Sequence, residues 1–175
     1  QDLLNQQHLL TPAELQAINE VAGSMGMKAR VALRINPDID PKTHPYISTG
    51  LKKSTFGIAA DRAIEEFKIA AAFSHIEVVG LHAHIGSQLT QVAPFVESLK
   101  KVLTMVQTLA EQGIPIRYLN IGGGLGITYS DETPPEPKDL AAAIFPLVRD
   151  LKCVLIMEPG RVIVGNAGVL LTKVL

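Results

Sequence analysis

Several short apolar runs in this chain end in residues that can do chemistry. Glu158 follows "CVLIM" and opens "EPGR", so its carboxylate emerges from a hydrophobic segment. Burying a charge without a partner is expensive. Glu158 therefore needs either an ion pair, with Arg161 or another arginine, or the cationic group of a ligand. Arg161, just past Pro159 and Gly160, carries a planar fork suited to an anion. Arg34, inside "VALRINP", poses the same choice between a buried carboxylate and a ligand. In "GLHAHIGSQL", His82 and His84 share a face if the run is a strand. Two imidazoles at that spacing can start a metal site, but no convincing third ligand follows, and no metal is assigned. His82 reads as a core histidine satisfied by a hydrogen bond. His84 lies nearer the strand end, where an imidazole can stack on a flat ligand and Ser87 can donate to a phosphate oxygen. "YLNIGGGLGITY" places Gly122, Gly123 and Gly124 straight after a strand. Such a run is either a tight turn or a backbone cradle for a phosphate. It is not a P-loop, because no Gly-Lys-Ser/Thr follows, and the dinucleotide fingerprint lacks its third glycine.

The elements that must position these residues alternate. Thr11, Pro12 and Glu14 form a helix-start signal, and Leu15, Ile18 and Ala22 continue at helical spacing up to Gly23 or Gly26. "RVALRINP" is a strand halted by Pro37, followed by a long polar loop from Asp38 to Ser54. "DRAIEEFKIAAAF" is a helix with Ala63, Ile64, Phe67, Ala70 and Ala71 on one face. "IEVVGLHAHIG" is a strand. "PFVESLKKVLTMVQTLAEQG" is an amphipathic helix carrying Phe95, Leu99, Val102, Val106 and Leu109 and closed by Gly113. "IRYLNIGGG" is a strand, "KDLAAAIFPLVRD" a helix with Pro146 inside it, and "CVLIMEPGR" a strand. Helices alternating with short apolar strands predict a parallel sheet covered by helices. Functional residues at the end of each strand favour a (β/α)8 barrel over an open sheet, because in a barrel those ends converge. Four repeats make half of one.

The chain has 175 residues, enough for one domain with a sizeable core. Lys plus Arg is 16 and Asp plus Glu 17, a balance that argues against a nucleic-acid or anionic-membrane partner. Cys153 has no second cysteine to pair with and reads as a reduced, buried small hydrophobe. No apolar run has the length of a membrane span and no signal peptide opens the chain, so a cytoplasmic setting is expected. Gln1 and the final "RVIVGNAGVLLTKVL" suggest an internal piece of a longer protein: residues 1–160 the C-terminal part of a barrel, and residues 161–175 a strand leaving for another domain.

"RINPDID…THPYISTGLKKSTFGI", "GLHAHIGSQL", "LNIGGGLGITY" and "EPGR", in this order across residues 10 to 175, resemble the diaminopimelate decarboxylases. These belong to the fold-type III pyridoxal phosphate enzymes, with ornithine and arginine decarboxylases and alanine racemase. The resemblance implies an alanine racemase-like (β/α)8 barrel that binds pyridoxal 5'-phosphate, here about its C-terminal half, followed by a β-rich domain absent from this chain. It implies decarboxylation of meso-diaminopimelate to L-lysine by a full-length homodimer with shared active sites. It also implies residue roles: His84 stacking on the cofactor ring, Ser87 and Gly122, Gly123 and Gly124 at the phosphate, and Glu158 at the pyridine nitrogen. Pro159, Gly160 and Arg161 complete the phosphate-contacting loop, with Arg161 also a ligand for the substrate carboxylate. The racemase branch has an arginine facing the pyridine nitrogen, so Glu158 points to the decarboxylases.

The family's Schiff-base lysine, in a motif like "Y-x-x-K-A-N", has no match among the ten lysines, and its C-terminal "C-x-E" segment is absent. No catalytic residue is therefore assigned, and the 175-residue piece by itself is expected to be inactive. A related decarboxylase for another basic amino acid or carboxynorspermidine, a non-catalytic relative of the barrel, and an unrelated phosphate-binding barrel are the alternatives.

Overall fold

The computed structural model describes residues 12–40, 56–169 and 171–173. The elements run α1 (Pro12–Ser24), β1 (Ala29–Asn36), β2 (Ile58–Ala59), α2 (Ala60–Ala72), β3 (Ile76–Ala83), α3 (Ala93–Glu111), β4 (Tyr118–Asn120), α4 (Pro137–Val148), β5 (Val154–Ile156) and α5 (Arg161–Val164). Thr11 and most of the polar loop, with Lys52 and Lys53, lie outside the described residues. Among the described residues no helix is long and apolar enough to cross a membrane.

The strands form one parallel sheet in the order β2-β1-β3-β4-β5. Apart from β2, a two-residue pairing at the end of β1, spatial order follows chain order with a helix between successive strands. An open doubly wound sheet reverses its order at a switch point, whereas a barrel wall keeps it. The arrangement is the barrel arc that the alternating pattern predicts.

Helix boundaries follow local chemistry. At α4 the Glu136 side chain accepts from the backbone N–H of Asp139, whose own side chain accepts from the N–H of Glu136, and Pro137 stands where its missing N–H costs nothing. α3 ends where Gly113 takes φ 80° and Ile114 N–H donates to Leu109 O at 2.9 Å. The expected faces are buried at Ala63, Phe67 and Ala70 of α2 and at Phe95, Leu99, Val102 and Leu109 of α3. Ala71 is exposed. Cys153 is half-buried against the core, and burial pushes its thiol up.

One irregularity sets the phase of the sheet. β1 and β3 pair Val31 with Val78 and then Ala32 with Gly80, leaving Val79 as an extra residue in β3. A one-residue slip in a strand exchanges its two faces. The bulge brings Arg34 opposite His82.

The C-terminal run corrects the sequence reading. Residues 161–164 form one helical turn rather than a strand: Val164 N–H donates to Gly160 O at 3.2 Å and Gly165 N–H to Arg161 O at 2.7 Å. Its β-branched residues suggested a strand, but Ile163 and Val164 lie exposed and pair with none of the described strands.

Candidate functional site

Register builds the site. Arg34 of β1 pairs with His82 of β3, and His82 with Asn120 of β4. Register partners in a parallel sheet share a face, so the three side chains form a row at the carboxyl ends of the strands. Asn120 pairs with Ile156 of β5, and Glu158, two residues on, returns to the same face. Asn120 Nδ2 donates to Glu158 Oε1 at 2.6 Å, and His82 Nε2 lies 3.7 Å from the same oxygen.

The electrostatics follow from burial. His82 is pushed down to about 4 by burial and by the Arg34 guanidinium, with Glu158 opposing. It is neutral at pH 7, so its approach to Glu158 is not an ion pair. Its Nε2 has no hydrogen-bond partner among the described residues, which corrects the expectation of a satisfied core histidine. His84 is lowered by the same causes, burial first and then Arg34. Arg34 is held below the usual guanidinium range by burial, with Glu158 opposing. Its guanidinium lies 5.5 Å from the Phe56 ring centroid, and its Nε is buried without a partner among the described residues.

The glycine turn fits between two neighbouring strand ends. Gly122 takes φ 70° and Gly124 φ 110°, in the left-handed region where glycine is at no disadvantage. A Cβ on Gly122 would stand 2.6 Å from His84 Nδ1, one on Gly123 2.0 Å from Glu158 O, and one on Gly124 2.2 Å from Gly86 O. The turn is held by backbone bonds on both sides: Glu158 N–H to Gly122 O at 2.8 Å, and Leu89 N–H to Gly124 O at 2.8 Å. Gly122 N–H donates to Asn120 Oδ1 at 2.8 Å and Gly123 N–H to His84 Nδ1 at 3.3 Å. An accepting Nδ1 places the proton of neutral His84 on Nε2. Both sequence readings of the glycines therefore apply, because the turn is tight and lies against His84 and Glu158. Gly160 differs, since a Cβ there would meet nothing within 4 Å.

Arg161 does not pair with Glu158. Its Nη1 donates to Tyr129 Oη at 2.7 Å and its Nη2 to Ser87 Oγ at 3.1 Å, with the guanidinium 5.6 Å from the Tyr129 ring centroid. Glu132 accepts from the amides of Tyr129 and Ser130; its own amide first, then those of Ser130 and Tyr129, hold it below the usual carboxylate range. The structure thus brings Ser87 to Arg161, and His84, the glycines and Glu158 to one another. Sequence reasoning passed over Asn120 and Tyr129. Asn120 was visible as the one amide between an apolar strand and the glycines, and no local pattern marked Tyr129.

The model of the pyridoxal-dependent decarboxylases, pyridoxal binding domain, matches residues 7–165. The diaminopimelate decarboxylase of Aquifex aeolicus is 49% identical over 162 residues, covering 92% of this chain and 39% of that protein. That of Vibrio cholerae is 51% identical over 164 residues with the same shares. The chain thus spans about two fifths of the length of the curated relatives it matches. The crystal structure of diaminopimelate decarboxylase from Helicobacter pylori complexed with L-lysine superposes with a TM-score of 0.81 at 43% identity, covering 86% of this chain and 38% of that one. Lysine decarboxylase from Selenomonas ruminantium, at 22% identity and a TM-score of 0.67 over 84% of this chain and 37% of that one, shares the fold. With the family model spanning nearly the whole chain and the strand-end site in place, the chain belongs to the pyridoxal-dependent decarboxylases and carries their pyridoxal-binding domain.

Proposed function

We propose that the protein containing this chain decarboxylates meso-diaminopimelate to L-lysine and carbon dioxide with pyridoxal phosphate, as a cytoplasmic homodimer. The observation that carries the cofactor site is the meeting of Glu158, His84 and the glycine turn at adjoining strand ends. The choice of substrate rests on relatives near 50% identity bearing that name.

The residues fit the group. A carboxylate, a neutral imidazole, a close-packed glycine turn, a hydroxyl and a guanidinium match a flat, cationic, phosphorylated ring. The buried Nε2 of His82 and Nε of Arg34, without a partner among the described residues, mark the site as polar. When bound, pyridoxal phosphate supplies the electron sink for the pair left as carbon dioxide departs. Glu158 favours the protonated pyridine nitrogen, because an opposite charge stabilises the cation. His84, held neutral by burial and Arg34, would lie against the ring without setting a second positive charge beside it. Gly122, Gly123 and Gly124, with Ser87, Pro159 and Gly160, would hold the phosphate, and Arg161 would hold an anion, phosphate or substrate carboxylate, through its fork. Tyr129 keeps that fork oriented.

The test is carbon dioxide release by the full-length protein from meso-diaminopimelate, ornithine, arginine and carboxynorspermidine. Preference for any of the last three overturns the assignment. Sedimentation of the same protein as a monomer overturns the dimer.

A further inference from the structure

Asn120 bridges two parts of the site. Its Nδ2 donates to Glu158 Oε1 at 2.6 Å, and its Oδ1 accepts from Gly122 N–H at 2.8 Å. One end of the amide thus touches the carboxylate after β5, and the other touches the glycine turn after β4. A side chain with only acceptors cannot make both bonds, and one with only donors cannot either.

We infer that Asn120 is a positioning residue that sets the Glu158 carboxylate and the glycine turn at a fixed separation, matched to the pyridine nitrogen and the phosphate of one ligand. The inference rests on the reading of Glu158 and the glycines under Proposed function. It assigns Asn120 no contact with the ligand. The charged and titratable groups facing this contact are Arg34 from β1, His82 and His84 from the end of β3, and Glu158 itself.

An aspartate at this position gives the test its sign. Asn120→Asp keeps the size and the acceptor for Gly122 N–H but sets a second carboxyl beside Glu158. Two carboxyls at such a distance do not both ionise readily, so the new group's pKa rises. While protonated, its O–H donates to Glu158 Oε1 and replaces the amide. Once ionised, it repels Glu158. A pH-independent bond thereby becomes one that is lost as pH rises.

The experiment uses full-length protein, stripped of cofactor and reconstituted. The dissociation constant of pyridoxal phosphate is measured from about pH 5.5 to about pH 8.5 for the parent and N120D, as a ratio that cancels titration common to both. The ring-nitrogen signal of nitrogen-15-labelled pyridoxal phosphate is recorded for the parent, N120D and E158Q. The ratio is expected to stay near one at the acid end and to grow about tenfold or more at the alkaline end. A ratio within about twofold across the range overturns the inference. A flat ratio with a ring signal that moves in E158Q removes Asn120 alone, whereas a signal that E158Q leaves unmoved removes the reading of Glu158 beneath it. Should N120D fail to fold, Asn120→Ser, whose short hydroxyl cannot span both partners, is expected to weaken binding about tenfold at every pH. Parent-like affinity in N120S overturns the inference equally.

Discussion

Gly123→Ala tests the packing of the glycine turn in its simplest form, because Gly123 is not among the positive-φ glycines and the substitution adds a methyl group and little else. That methyl would stand 2.0 Å from the carbonyl oxygen of Glu158 and 2.9 Å from its carbonyl carbon. Both are backbone atoms, so no side chain can swing aside. Relieving the overlap requires the β5 end to retreat from β4 by about 1 Å. A retreat of that size takes the 2.6 Å bond from Asn120 to Glu158 beyond hydrogen-bond range. Overpacking costs about 1–3 kcal/mol and a lost hydrogen bond to a charged group about 1.5–3 kcal/mol, so together they cost about 2.5–6 kcal/mol. Urea unfolding of the full-length variant, followed by circular dichroism, reads this as a lower midpoint at unchanged slope. Gly160→Ala is the internal control, since its methyl meets nothing within 4 Å. It is expected within about 1 kcal/mol of the parent while weakening pyridoxal phosphate binding. The reasoning fails if Gly123→Ala unfolds at the parent's midpoint, or if Gly160→Ala costs as much stability as Gly123→Ala does.

Three further outcomes are expected. Folded His82 titrates near 4, below the unfolded value of about 6.5. Its stabilising effect is therefore complete above about pH 6.5 and is lost as pH falls towards 4, on the order of 3 kcal/mol, so the parent should lose more stability than His82→Gln between pH 7 and pH 4; parallel pH profiles would count against this. Phe67, fully buried on the inner face of α2, should cost about 3–5 kcal/mol when changed to Ala, read by the same urea titration, and a loss under about 1 kcal/mol would contradict the packing. Arg161→Lys replaces a fork that reaches Tyr129 and Ser87 together with a single ammonium, so pyridoxal phosphate affinity, measured by dialysis, should fall about tenfold, and an unchanged constant would separate Arg161 from the ligand.

What the sequence made legible was set by periodicity and by chain punctuation. The α3 face from Phe95 to Leu109 and its stop at Gly113 followed from helical spacing and a glycine after it. β1 ended before Pro37 as expected. Glu158, His84 and the glycines stood out because charge, imidazole and three glycines are unusual at the ends of apolar runs. Arg161 to Val164 misled, because β-branched composition outweighed the Gly160 turn that starts a helix there. Asn120 escaped because its importance is relational. It depends on the β3–β4 register that pairs it with His82, and that register is not written in any local pattern. His82 was misjudged for the same reason: a strand can bury a histidine without supplying its hydrogen bond.

The backbone bonds across the glycine turn have a dynamic consequence. Glu158 N–H reaches back to Gly122, Leu89 N–H to Gly124, and Gly126 N–H to Leu89. Three loops that are separate in the chain can therefore open only together. The amide hydrogens of Leu89, Gly126 and Glu158 should exchange with solvent slowly and in step, in contrast to the exposed loop around Tyr129. A surface held in this way loses little freedom when a ligand arrives, because most of the ordering entropy has already been spent in folding.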